Sequence, residues 1–258
     1  MILVNGCSFT YGDELKAPEE ERWSTHLGQH LNKDVVNISE PGSSNSKIYR
    51  DTMDKLTTIH RRGQKLDGII IMWSAFERVE FISLATEHNY NSDLKLINEP
   101  FVQVSPSRLD GSCRSIKRNL DAWQTFYGEI YTRETGIVNT INYMSWIYLM
   151  STMLNCECIQ LWFHEGNRYN FNRTFVQSRL NSQGPRLHRI YKQVNEKLDS
   201  LPGKCKIGLN DRYLTFNEFT TANKYPRMPE GHPGPQAHKE YALYLKGMID
   251  THNLFRGE

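Results

Sequence analysis

The sequence of 258 residues lacks several features that would assign it to a broad class of proteins. It has no run of about 18 apolar residues, so we expect no transmembrane helix and no membrane partner. Its 31 basic and 29 acidic residues leave a formal net charge of only +2. Nucleic-acid binding usually depends on clustered positive charge, so this balance gives no reason to expect a nucleic-acid partner.

The N-terminus and the cysteines lack the signs of an exported protein. Residues 1–6 contain neither a basic region nor an apolar stretch as long as that of a signal peptide. Cysteine occurs five times, an odd number without the spacing of a disulfide scaffold. Cys156 and Cys158 are too close together for the usual zinc-binding pair. We therefore expect free thiols in a reducing compartment such as the cytoplasm.

Short apolar runs alternate with segments of helical spacing along the chain. The strands are predicted at 2–4, 34–38, 68–73, 158–163 and 206–209, and the helices at 22–31, 43–63, 114–154, 185–198 and 236–252. The long helix is predicted to break near Gly136. Such alternation predicts a three-layer α/β/α sandwich with a parallel sheet of about five strands.

The periodic pattern is lost between about residues 85 and 113, where Asn, Ser, Pro and Asp are frequent. We interpret this segment as an inserted lid region, with a hairpin around residues 101–104. No repeat, low-complexity tract or linker divides the rest of the chain. The sequence therefore predicts one domain over residues 1–258.

Four short segments fall at the predicted ends of strands or just before the last helix. They are residues 5–13, 40–45, 73–78 and 230–234, and they contain Ser8, Gly42, Ser74 and His232. In parallel α/β sheets, ligands bind at the carboxyl ends of the strands. A serine hydroxyl becomes an effective nucleophile when an imidazole accepts its proton, and fixed N–H groups stabilise the oxyanion that forms.

These four segments, in this order, resemble the conserved blocks of the SGNH (GDSL-like) hydrolases. The opening Gly6-Cys7-Ser8-Phe9-Thr10-Tyr11-Gly12 and the later His232-Pro233-Gly234 look most like the SGNH-type proteins of tailed bacteriophages. The resemblance implies the flavodoxin-like SGNH hydrolase fold, with Ser8 as nucleophile and His232 as general base. It also implies an oxyanion hole formed by the N–H groups of Ser8 and Gly42, and no metal or organic cofactor.

Two departures from the family pattern concern the oxyanion hole and the acid. The third block normally reads Gly-x-Asn-Asp, whereas residues 73–78 contain no asparagine. Asn45 and the Ser74 hydroxyl are the substitutes that we consider for the missing donor. The acid usually lies three residues before the histidine, where this chain has Pro229. Glu230 is the nearest carboxylate, and we consider it as the group that orients His232.

The resemblance implies ester hydrolysis through an acyl-enzyme, with removal of small acyl groups such as acetyl from a glycan. One alternative is a degenerate SGNH domain kept as a non-catalytic glycan-binding or structural virion module. Another is a transferase that delivers the acyl group to a sugar hydroxyl. The expected partners are thus a small-molecule or glycan ester and, beyond it, virion proteins or further copies of the chain. A phage protein would act in the host cytoplasm or in the virion.

Three further residues near these segments have simpler interpretations. Cys7 is expected in the core, although it lies beside Ser8. His238 is expected to cap or pack the closing helix. Arg78 could bind an anionic or hydroxyl-bearing group of a substrate, but we expect it to pair with Glu77 or Glu80 at the surface.

Overall fold

The computed structural model describes residues 1–82, 89–90, 96–97, 101–104, 120–164, 196 and 213–255. Its strands are β1 (Ile2–Asn5), β2 (Val35–Asn37), β3 (Gly68–Trp73), β4 (Val79–Ile82), β5 (Asn89–Tyr90), β6 (Leu96–Ile97), β7 (Phe101–Val104) and β8 (Glu157–Trp162). Its helices are α1 (Ser8–Tyr11), α2 (Pro18–Glu21), α3 (Trp23–Leu31), α4 (Asn45–Arg61), α5 (Leu120–Thr125), a π-helical turn (Phe126–Ile130), α6 (Arg133–Met153), α7 (Phe216–Ala222) and α8 (Pro235–Thr251). None of these helices is long and apolar enough to cross a membrane.

The main sheet of the described residues has four strands in the order β2-β1-β3-β8. All three pairings are parallel: Ile2 lies opposite both Val35 and Gly68, and Gly68 lies opposite Glu157. This arrangement confirms the predicted α/β fold with a parallel sheet. The further strand predicted at 206–209 lies outside the described residues, as does the helix predicted at 185–198 except for residue 196.

Side chains of the sheet alternate between two layers of helices. On one face, Ile70 and Met72 of β3 pack with residues of α3, α7 and α8, including Trp23, Phe216 and Tyr241. The opposite face carries Leu3, Ile69, Ile71 and Trp73, which pack with residues of α4 and α6 such as Leu56 and Ile141. Because β3 is buried on both faces, its apolar run is continuous, as expected of a parallel strand between two helical layers.

The strand order creates a switch point beside β1. The chain leaves β1 through α1–α3 to reach β2 on one side, and then passes through α4 to reach β3 on the other side. The connections on the two sides of β1 therefore run over opposite faces of the sheet. A crevice forms at the carboxyl ends of the strands where such connections diverge. The segments after β1, β2 and β3 meet at this edge.

The structure corrects the prediction of a hairpin around residues 101–104. These residues form the single strand β7, which pairs antiparallel with β4, so that Val79 lies opposite Val104 and Ile82 lies opposite Phe101. The strand that pairs with β7 is thus β4, which lies before the insertion predicted at about residues 85–113. A second antiparallel pair, β5 with β6, lies within it. Residues 83–88, 91–95, 98–100 and 105–119 lie outside the described residues, so the lid stays a prediction.

The break in the long helical segment also differs from the prediction. The π-helical turn ends at Ile130, and α6 begins after Thr132, whose side chain caps it by accepting the N–H of Thr135 at 3.2 Å. Gly136 lies inside α6, where a Cβ atom would collide with the carbonyl oxygen of Phe76. The glycine is therefore a site of close packing between α6 and the segment after β3, and not a helix break.

Candidate active site

Ser8 lies at a sharp turn directly after β1. A Cβ atom at Gly6 would collide with the Thr10 hydroxyl and would lie 3.0 Å from the carbonyl oxygen of Met72, so the turn requires glycine. Ser8 begins α1, and Gly12 ends it in the left-handed region at φ 88°. We call residues 6–12 the serine turn. Its contact with Met72 places it against the carboxyl end of β3.

Asparagines at the ends of β1 and β2 hold the serine turn in place. The side chain of Asn5 accepts the N–H of Gly6 at 2.7 Å and donates to the Thr52 hydroxyl at 2.9 Å. The side chain of Asn37 donates to the carbonyl oxygen of Thr10 at 2.9 Å. These bonds satisfy backbone groups that a tight turn leaves without partners. The backbone around Ser8 is therefore held by a side chain of β1 before the turn and by a side chain of β2 within it.

His232 is bound by a carboxylate that follows the serine turn. Its Nδ1 lies 2.7 Å from Oε2 of Glu14, and its backbone N–H donates to the same oxygen at 3.2 Å. Oε1 of Glu14 accepts the backbone N–H of Glu230 at 2.8 Å. Glu14 has a left-handed backbone with φ 67°, a conformation that non-glycine residues adopt at some energetic cost and that is frequent at functional sites.

This contact corrects the expectation that Glu230 orients His232. Glu230 is exposed, and its described contact with this site is made by its backbone N–H. The carboxylate at Nδ1 belongs to Glu14, which comes from the segment that follows Ser8 and not from the segment of His232. Sequence reasoning missed Glu14 because it searched for an acid next to His232. The available signal was the pair Asp13-Glu14, which directly follows the serine turn at the same edge of the sheet.

The environment of Glu14 favours its ionised form. Burial acts to raise the pKa of this carboxyl, but hydrogen bonds from the N–H of Glu230 and from the side chain and N–H of His232 leave the pKa below its ordinary value. A carboxylate at 2.7 Å from Nδ1 assigns the ring proton to that nitrogen. The Nε2 atom of His232 is then left with a lone pair that can accept a proton.

The other side of the imidazole faces the serine turn. The ring of His232 lies 5.4 Å from that of Phe9, centre to centre, and its Nε2 lies 3.8 Å from Oδ2 of Asp13. Ser8 directly precedes Phe9 and is 6% exposed. Within the described part of the chain, no hydrogen bond joins the Ser8 hydroxyl to His232. Catalytic hydrogen bonds are often long without substrate and tighten when it binds.

The loop that carries His232 is held by Arg227. One guanidinium nitrogen of Arg227 donates to the carbonyl oxygen of Gly231 at 2.8 Å, and another donates to Oδ1 of Asn217 in α7 at 2.6 Å. The N–H of Met228 donates to the carbonyl oxygen of His232 at 2.9 Å. The loop that carries His232 is thus attached to α7 on one side and to Glu14 on the other, which fixes its backbone.

Gly42 lies in a turn, and within the described part of the chain its backbone N–H is free to donate a hydrogen bond. It adopts the left-handed region at φ 78° in the segment between β2 and α4. Among the described residues, neither the N–H of Gly42 nor that of Ser8 has a hydrogen-bond partner. Both segments lie at the carboxyl edge of the sheet, on adjacent strands. These N–H groups remain the predicted oxyanion donors.

Asn45 and Ser74 do not fit the donor roles that we considered for them. Both amide hydrogens of Asn45 are used inside the protein, in bonds to the carbonyl oxygen of Ser74 at 3.2 Å and to Oγ1 of Thr140 at 2.9 Å. Its Oδ1 accepts the N–H of Ser74 at 2.7 Å. Ser74 is completely buried, and its hydroxyl accepts a hydrogen bond from Arg78 at 3.0 Å. Asn45 therefore anchors the end of β3 and offers no free donor.

Two neighbouring residues have the structural roles that the sequence predicted. Cys7 is completely buried. His238 is also completely buried, and its Nδ1 accepts the backbone N–H of Trp23 at 3.1 Å, which joins α8 to the start of α3. Burial lowers the pKa of His238 to about 3, so the ring stays neutral and serves as an acceptor.

Comparison with solved structures identifies the fold. No family model matches the chain, and no curated protein matches it significantly. TesA is similar over 97% of this chain and 98% of its own, at 11% identity and a TM-score of 0.50. A lipolytic protein of the G-D-S-L family from Desulfitobacterium hafniense covers 96% and 98% of the two chains at 13% identity and a TM-score of 0.47. The psychrotrophic esterase EstA from a Pseudoalteromonas species covers 97% and 96% at 12% identity and a TM-score of 0.46.

The likeness to TesA extends over nearly the whole of both chains. At 11% identity, the comparison shows the arrangement of strands and helices and not the chemistry. The chain therefore has an α/β fold, with a parallel sheet between helices, that is similar to the fold of TesA.

Proposed function

We propose that this protein is a serine esterase of the SGNH type that removes small acyl groups, such as acetyl, from a carbohydrate. The observation that carries the proposal is the 2.7 Å contact between Nδ1 of His232 and Glu14, in the segment that directly follows Ser8. It orients the His232 ring, and Phe9, whose ring lies 5.4 Å from that of His232, directly follows the buried Ser8. An ionised acid, a histidine and a serine together can form a hydrolytic triad, whatever their order in the chain.

The reaction follows from the roles of these three side chains. Ser8 Oγ attacks the acyl carbon while Nε2 of His232 takes the hydroxyl proton, and Glu14 stabilises the imidazolium that forms. The N–H groups of Ser8 and Gly42 stabilise the oxyanion, each such donor being worth roughly 10²–10³ in rate. The C–O bond to the alcohol then breaks, and His232 returns the proton to the leaving oxygen. Water attacks the acyl-enzyme with His232 as base, which releases the carboxylic acid and restores Ser8.

The test compares hydrolysis of p-nitrophenyl acetate by the wild-type protein and by Ser8→Ala, His232→Ala and Ser145→Ala at pH 7 to 8. Ser145 is the matched control, because its hydroxyl only bonds back to Ile141 in α6. We expect saturable turnover that is lost in the first two variants and kept in the third. A fluorophosphonate probe should label the wild type and Ser145→Ala but not Ser8→Ala. Failure of the probe to label wild-type Ser8 would contradict the proposal.

A second candidate is a non-catalytic glycan-binding or structural module, including a virion component. It is favoured by the amide of Asn45, which is fully used within the protein and leaves no side-chain donor for the third position of the oxyanion hole. Such a module would bind glycans equally well with and without the Ser8 hydroxyl, and the fluorophosphonate probe would not label it. A transferase would be labelled, but a sugar acceptor would compete with water for the acyl group.

A further inference from the structure

A cavity of about 280 Å³ lies at the same edge of the sheet as the serine turn. We call it the side cavity. Its walls come from the N-terminal end of α4, the segment from Phe76 to Phe81, the π-helical turn and the first turns of α6. Pockets for drug-sized ligands span roughly 300–1,000 Å³, so this volume suits one ring-sized group.

The side cavity and the serine turn are neighbours across the end of β3. Asn45 lines the cavity and holds the backbone of Ser74 by two hydrogen bonds. β3 pairs directly with β1, with Asn5 opposite Ile71, and the serine turn contacts Met72. The cavity lies among residues of α4 and α6, whereas Phe9, which contacts His232, packs with the core formed by α3, α7 and α8. The two regions therefore flank the end of β3.

Arg78 supplies a positive charge on the wall of the side cavity. The sequence led us to expect a pair with Glu77 or Glu80, but no ion pair joins Arg78 to either residue in the described part of the chain. Glu80 is instead bound by Arg50 through two hydrogen bonds of 2.8 and 3.2 Å, and by the side chain of Gln103 at 2.7 Å. The carboxylate of Glu80 on the cavity wall is thus already paired with Arg50. The positive charge of Arg78 is therefore not balanced by Glu80.

The guanidinium of Arg78 is held in position while most of its donors are unused. One nitrogen donates to the buried hydroxyl of Ser74 at 3.0 Å. Among the described residues, the guanidinium makes no second hydrogen bond. A guanidinium carries five N–H groups in a planar fork that matches the two oxygens of a carboxylate. An arginine that is fixed at one nitrogen and open at the others is arranged to bind a carboxylate.

Aromatic rings and the side-chain amide of Asn139 form a large part of the remaining wall of the side cavity. Phe126 and Tyr131 stack at 5.4 Å, and the hydroxyl of Tyr131 donates to the carbonyl oxygen of Phe76 at 2.9 Å, which leaves its ring as an apolar surface. Asn139 is half-buried, and its side chain has no hydrogen bond within the described residues. Flat apolar surfaces beside an amide suit a ring with an apolar face and hydroxyl groups at its edge.

We propose that the side cavity binds a pyranose ring that carries a carboxylate, with Arg78 pairing with the carboxylate and Asn139 bonding to a ring hydroxyl. This inference rests on the proposed function and makes it more specific, because it identifies the alcohol part of the ester as an acidic sugar. A neutral sugar would leave the guanidinium of Arg78 without its partner.

The test measures binding on Ser8→Ala protein, in which no turnover can occur, by calorimetric titration with methyl glucuronoside and methyl glucoside. We expect the glucuronoside to bind at least ten-fold more tightly. Adding Arg78→Gln should abolish this preference, and Arg78→Lys should keep part of it. Asn139→Ala should weaken the binding of both sugars to a similar degree. Arg62→Gln is the control, since Arg62 is an exposed cation at the far end of α4.

Several outcomes would overturn the inference. These are equal binding of the two sugars, no measurable binding of either at millimolar concentration, and a preference for glucuronoside that survives Arg78→Gln. Tighter binding of 4-hydroxybenzoate than of glucuronoside would overturn the assignment of a sugar ring. The result is independent of ester hydrolysis: a selective sugar site without any fluorophosphonate labelling would overturn the esterase proposal alone.

Discussion

The carboxylate of Glu14 lies 2.7 Å from Nδ1 of His232, although 218 residues separate them in the chain. This contact joins the segment after the first strand to the loop before the last helix. In the SGNH pattern that the sequence resembles, the acid comes from the histidine loop. Here Pro229 occupies that position, and the carboxylate at Nδ1 of His232 comes from the segment that follows Ser8. The carboxylate that contacts His232 thus comes from a different segment than the family pattern predicts.

Replacement of Glu14 by glutamine should reduce kcat by about 10²–10⁴, because a neutral amide neither fixes the Nδ1–H tautomer nor stabilises the imidazolium. KM should change little, since Glu14 orients His232 and does not touch the proposed substrate. The measurement is steady-state hydrolysis of p-nitrophenyl acetate across pH 5 to 9. Glu230→Gln is the matched control, and its kcat should stay within about two-fold. The reverse pattern, with Glu230→Gln inactive and Glu14→Gln active, would refute the assignment.

Replacement of Asn45 by alanine should chiefly destabilise the protein. The change removes three hydrogen bonds from a residue that is 3% exposed and leaves the backbone of Ser74 and the Thr140 hydroxyl without these partners. A buried polar group left unpaired costs about 1–3 kcal/mol. We therefore expect urea unfolding to show a loss of about 2–4 kcal/mol. A variant of unchanged stability with kcat reduced 10²–10³-fold would instead identify Asn45 as an oxyanion donor.

Replacement of Gly136 by alanine tests whether this glycine is a packing site. Alanine usually stabilises a helix interior by about 1 kcal/mol relative to glycine. At Gly136 the added methyl group would collide with the carbonyl oxygen of Phe76, so we expect a net loss of about 1–3 kcal/mol. Gly247 in α8 is the control, because nothing lies within 4 Å of a Cβ atom there. Thermal unfolding should show Gly247→Ala more stable than wild type and Gly136→Ala less stable.

His238 should make the protein less stable as the pH falls below about 6.5. Burial lowers the pKa of His238 to about 3, whereas in the unfolded chain it is close to 6.5. Between these two values the unfolded chain binds a proton that the folded protein does not. The free energy of unfolding therefore falls with decreasing pH, by up to about 1.4 kcal/mol per pH unit.

The measurement for His238 is urea unfolding between pH 7.5 and 5, above the range in which carboxylates with ordinary pKa values titrate. His238→Gln should flatten this pH dependence, since glutamine can still accept the N–H of Trp23 but does not titrate. His60→Gln is the control, because His60 is exposed. An identical slope in wild type and His238→Gln would show that another group causes the pH dependence.

The sequence by itself predicted the α/β architecture with a parallel sheet, which the structure confirms. Strands such as β3 are continuous apolar runs, and α4 begins at the capping Ser44 as the residue types predict. The sequence also indicated Ser8, Gly42 and His232 as the residues of a site at the carboxyl edge. Periodicity, capping and turn chemistry act over a few residues, so they can be detected without knowledge of the fold.

Tertiary structure decided which side chains meet at that edge. Proximity in sequence pointed to Glu230, whereas packing brought Glu14 to His232 and turned the Glu230 carboxyl to solvent. The free donor expected of Asn45 is taken up by Ser74 and Thr140, which lie 29 and 95 residues away. Gly136 likewise allows α6 to pack closely against the backbone of Phe76 and does not break the helix. Each of these outcomes depends on contacts between distant segments, which the strand order creates and local sequence patterns do not encode.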